Sequence, residues 1–159
     1  MRISSRSLVV AVLAATVLIT APSSALADDA AMKASIPAAF NALAKKERAA
    51  GKAIAAFNKR DKATKKGRQR VRAVRTAVRN FQALLGAQVP STPQGEAAKA
   101  ALLKALDLEA KATSQVDLAM KSANTSSISR TNRIIARANS TLRRATSAAQ
   151  KAISQIAAL

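Results

Sequence analysis

The chain has 159 residues, a formal charge of +19 and no histidine, cysteine, tyrosine or tryptophan. Those absences remove the commonest acid–base group, the thiol nucleophile and nearly every transition-metal ligand set, so the chain reads as non-catalytic, with no cofactor or metal centre expected. Abundant alanine beside few β-branched and aromatic residues excludes a sheet protein and points to an all-α fold without disulfides.

In chain order, residues 1–27 read as a cleavable secretory signal peptide. Arg2 and Arg6 make a short positive start, an apolar run covers residues 8–19, and the small Ala25 and Ala27 suit cleavage before Asp28. The apolar run is shorter than the roughly 20 residues of a membrane-spanning helix. The expected location is therefore outside the cytoplasm, secreted or associated with the cell envelope, in a source that the alanine and arginine usage suggests is bacterial.

Residues 28–159 read as a single basic, alanine-rich helical domain. Residues 28–35 are expected to be a flexible leader. A first helix of about residues 36–58 follows from the spacing of Ile36, Phe40, Leu43, Ala50, Ile54 and Phe57, with Pro37 as an early helical residue. Residues 58–67 carry no large apolar side chain, which favours a turn over a continuous helix passing through solvent. The next apolar row is Val71, Val74, Val78, Phe81 and Leu85, with Gly86 placed as a helix-ending glycine. Residues 86–95, rich in glycine and proline, form the clearest loop, and Thr92 before Pro93 is a credible cap.

A third helix over about residues 93–121 is expected to bury Leu102, Leu103, Leu106, Ala110, Val116 and Met120. After a polar turn at residues 122–127, a last helix keeps a heptad seam of Ile128, Thr131, Ile135, Ala138, Leu142, Ala145, Ala149, Ala152 and Ile156. Short connections favour antiparallel neighbours. The predicted fold is an antiparallel up-and-down bundle of three or four helices; the alternative is a helical hairpin with one very long first helix.

Positive charge is concentrated. Residues 45–79 contain fourteen lysines and arginines against Glu47 and Asp61, a net charge of about +12. On a helix, Arg68, Arg72, Arg75 and Arg79 fall in one stripe beside the valine row, where guanidinium groups suit phosphate or carboxylate. These four, with Lys59, Arg60, Lys62, Lys65 and Lys66, are the candidate anion-binding residues. The plainer reading is that they only keep an alanine-rich bundle soluble, as do Arg130, Arg133, Arg137 and Arg144, which lie opposite the seam.

Three acids stand four residues before a lysine and are expected to support their helices: Asp61 with Lys65, Asp107 with Lys111, and Asp117 with Lys121. Glu96 suits a helix start. Asp107 and Glu109 point to different sides and make a poor carboxylate pair. Within the expected helices, Glu47 and Glu109 alone receive no role.

The functional expectation is an exported, non-catalytic protein whose basic segment binds an anionic envelope component, either wall polymer or an acidic lipid surface. One alternative is non-specific extracellular nucleic-acid binding, disfavoured because no tyrosine or tryptophan is present to stack on bases. The other is a structural module that assembles through the alanine seam.

Overall fold

The computed structural model describes residues 2–3 and 27–159. Within them the protein is all-helical, with α1 at Ala27–Arg60, α2 at Lys65–Gly86, α3 at Pro93–Ser122 and α4 at Ile128–Ala157, and no strand among the described residues. This is compatible with a helical bundle. The very long first helix of the alternative is excluded, because the chain turns between Arg60 and Lys65.

The turn has a local cause. Asp61 adopts φ 50°, the left-handed region that aspartate tolerates better than most residues, and its N–H closes the helix on the Phe57 carbonyl at 2.8 Å. Thr64 then starts α2 by accepting from the Gly67 N–H at 2.9 Å. Gly67 is buried where three elements meet: a Cβ there would crowd the capping Thr64 hydroxyl at 3.0 Å and make ordinary contacts with Met120 of α3 at 3.5 Å and Ala53 of α1 at 3.6 Å. Gly86, by contrast, is an ordinary last helical residue with no positive φ, which corrects the expectation of a glycine cap.

Cross-helix contacts fix the direction of packing. Phe40 meets Phe81 edge to face with centroids 5.0 Å apart, while Ala53 lies near Gly67, so α1 and α2 run antiparallel. Arg68 reaches Asp117 and Gln82 reaches Asp107, so α2 and α3 do too. One continuous core joins Met32, Leu43, Ile54, the valine row of α2, Leu102, Leu106, Val116, Ile135 and Leu142. On α4, buried Ala138, Ala145 and Ala152 permit close approach to α3, whereas Ile128 at the head of the expected seam is 80 % exposed.

The first helix starts earlier than its apolar row suggests. Residues 28–35 are helical, not a loose leader, and Pro37 lies inside α1. Met32 and Asp29 are both buried, and Asp29 anchors this extension to the connection between α2 and α3. Its carboxylate accepts from the Ser91 N–H at 2.8 Å and from the Thr92 hydroxyl. Thr92 in turn caps α3 through the Gly95 N–H at 3.0 Å. A side chain at residue 95 would collide with the Asp29 carboxylate, so glycine is required there by space. Burial alone would raise the pKa of Asp29, but the hydrogen bonds from Thr92 and Ser91 outweigh it and hold the carboxyl below its ordinary range.

Of the expected signal peptide, residue 1 and residues 4–26 lie outside the described residues. Ile3 is buried beside α1, where Asn58 both accepts from its N–H at 3.1 Å and donates to its carbonyl at 2.8 Å. Among the described residues no helix is long and apolar enough to cross a membrane.

Candidate anion-binding end and a buried carboxylate pair

The α1–α2 turn and the α3–α4 turn lie at the same end of the helices and are joined there. Asn124 brackets the backbone of Ala63, accepting from its N–H at 3.1 Å and donating to its carbonyl at 2.9 Å. Behind it, the hydroxyls of Ser122 and Thr131 pair at 3.1 Å in a buried contact. This fixed corner displays Lys59, Arg60, Lys62, Lys65 and Lys66, all exposed and with no hydrogen bond or ion pair among the described residues. An open cleft of about 250 Å³ beside them is lined by Ala63, Lys65, Arg68, Gln69, Arg72 and Asn124.

The arginine stripe is more committed than its spacing implies. Arg68 Nε lies 2.8 Å and Arg72 Nε 2.9 Å from the two oxygens of Asp117 on α3. Arg75 donates to the Ser114 hydroxyl at 3.4 Å. Only Arg79 of the four is exposed without a partner among the described residues. The stripe therefore serves largely to dock α2 on α3, and the unengaged cations lie nearer the turn. Burial would raise the pKa of Asp117, but its bonds to Arg68 and Arg72 prevail and lower it.

The same contacts correct the expected i to i+4 pairs. The ion pairs among the described residues are those of Asp117 with Arg68 and Arg72, not with Lys121. Asp107 accepts from Gln82 of α2 at 2.6 Å, and neither Asp107–Lys111 nor Asp61–Lys65 closes to ion-pair distance. Exposed lysines gain little from holding one geometry, whereas an arginine fork packed between two helices is already ordered.

The feature that local spacing misses is the meeting of Glu47 and Glu109. They come from α1 and α3 and line one cavity of about 30 Å³ with Phe40, Leu43, Leu102, Leu106 and, from α4, Thr146. Glu47 is 2 % exposed and its Oε2 has no hydrogen-bond partner. Glu109 is half-buried, yet its Oε1 is enclosed and equally unpartnered. Burial pushes the Glu47 pKa up to about 8, and the nearby Glu109 carboxylate adds to the rise. Burial likewise raises Glu109 to about 7, offset only in part by the Thr113 hydroxyl. The sequence signal is elimination: within the expected helices these two acids alone have no local role.

Among the described residues no group of three or more histidine, cysteine, aspartate or glutamate side chains is placed to hold a metal ion. No family model matches this chain, and neither a curated protein nor a solved structure is similar to it.

Proposed function

We propose that the protein is exported, that residues 1–27 are removed, and that the remaining up-and-down bundle adheres without catalysis to an anionic envelope component, wall polymer or acidic lipid. The contact is made by the basic end. The observation that carries this reading is the set Lys59, Arg60, Lys62, Lys65 and Lys66, exposed and without acidic partners among the described residues. Arg79 and the Lys65–Arg72 cleft extend it, while Arg68, Arg72 and Arg75 mainly support the scaffold. Many weak contacts of this kind bind polyanions and are screened by salt.

The test is partition of the protein onto anionic vesicles, isolated wall polymer and duplex DNA across a salt series. Beside it runs a variant with Lys59, Arg60, Lys62, Lys65 and Lys66 changed to glutamine. Preference for vesicles or wall polymer, lost in the variant and in high salt, is the expected result. Binding that survives high salt, or that the variant retains, refutes the electrostatic reading; equal affinity for all three ligands would leave only general polyanion binding.

A further inference from the structure

Glu47 and Glu109 line one cavity whose remaining walls are almost entirely apolar, and each carries a buried carboxylate oxygen without a hydrogen-bond partner. Among the described residues no cation pairs with either of them. Lys46 and Arg48 on α1, Lys104 and Lys111 on α3, and Arg143 and Arg144 on α4 are exposed, and none lines the cavity. Buried carboxylates without a partner are costly, and they are relieved by protonation or by a cation.

We propose that Glu47 and Glu109 form a binding site for one hard divalent cation, calcium or magnesium, held by the two carboxylates with the Thr146 hydroxyl and water completing its shell. The donors in reach are all oxygen, which selects hard ions over softer transition metals. The cavity, at about 30 Å³, suits an ion or a water-sized occupant. Half-buried Glu109 leaves the site a path to solvent, by which the ion keeps part of its hydration. With so few protein ligands, affinity in the weak range of extracellular sites is expected, at roughly millimolar ion. This site is separate from the basic end, so it stands or falls independently of anion binding.

The full chain would be unfolded thermally near neutral pH in calcium or magnesium chloride, against sodium chloride of equal ionic strength, beside E47Q and E109Q. Glutamine keeps the shape and removes the charge, so both variants are expected to fold. The wild-type midpoint should rise by about 4 °C at ion concentrations well above the dissociation constant. Each variant should lose that rise. Calorimetric heats should also depend on the buffer, because the entering ion displaces protons from the pair. No rise with either ion, or a rise retained in either variant, overturns the site and leaves protons as the pair's only ligand.

Discussion

At the turn between α1 and α2, five cations stand in solvent within a short stretch of chain. About 18 Å back along α1, at 1.5 Å per residue, Glu47 lines a cavity with Glu109, and among the described residues no cation pairs with either one. A chain with a formal charge of +19 thus leaves two enclosed carboxylate oxygens without a cation among the described residues. Total charge does not decide local electrostatics; the docking of helices does. Exposed cations contribute little to stability and are free for a ligand, whereas two enclosed carboxylates govern how stability responds to pH.

The largest expected effect tests the enclosed pair. Burial raises the folded pKa values of its glutamates from the ordinary 4.5 to about 8 and about 7, so the folded state binds more protons than the unfolded one. Their stabilisation is complete below about pH 4.5 and is lost as pH rises through the folded values. Unfolding midpoints of the wild type should fall across that interval. Near pH 8, Glu47→Gln should be more stable than the wild type by on the order of 2 kcal/mol, a difference that shrinks toward pH 4.5. Equal pH slopes in the two proteins would contradict the burial assigned to the pair. Asp29 and Asp117, whose pKa values are lowered from 3.8, act in the opposite sense: their stabilisation is present above that value and fades as pH falls below it.

Asp29 sharpens the contrast because it is equally hidden but fully partnered. Asp29→Ala removes the acceptor for Ser91 and Thr92 and loosens the start of α3, with an expected loss of about 1.5 kcal/mol in urea unfolding at neutral pH. Removal of the charge should therefore destabilise at Asp29 and stabilise at Glu47. The same sign at both positions would show that hydrogen-bond partners are not what distinguishes them.

Much of this architecture was legible in the sequence. The valine row of α2, the Thr92 cap and the interruption near residue 61 are local patterns, and the structure places each of them in the element that the pattern indicates. The early start of α1 was hidden because its buried positions include Asp29, which breaks the apolar row. Asp117 was assigned to Lys121 because spacing within one helix is visible, whereas its partners, Arg68 and Arg72, lie across the interface of α2 and α3. Glu47 and Glu109 reach one cavity from α1 and α3, helices that each pack on α2, and spacing within either helix says nothing about how the two align.

Asp117→Asn probes the arginines that the scaffold has engaged. Loss of two partly exposed ion pairs should cost about 1 kcal/mol. The same change releases Arg68 and Arg72 into the cleft beside Lys65, so adhesion to anionic vesicles should strengthen while stability declines. Weaker adhesion would mean that those arginines must be held in place to bind.

The smallest stability effect belongs to the basic end, and it divides by helix. Lys59 and Arg60 occupy the last turn of α1, where cations interact favourably with the helix dipole, whereas Lys65 and Lys66 open α2, where they oppose it. Changing Lys59 and Arg60 to glutamine should lower stability by about 0.5 kcal/mol, and changing Lys65 and Lys66 should raise it by a similar amount. Adhesion to anionic vesicles should weaken in both variants, since each loses two unpaired cations from the same surface. If adhesion instead followed stability, falling in the first variant and rising in the second, the end would act through the integrity of the turn and not through its charge.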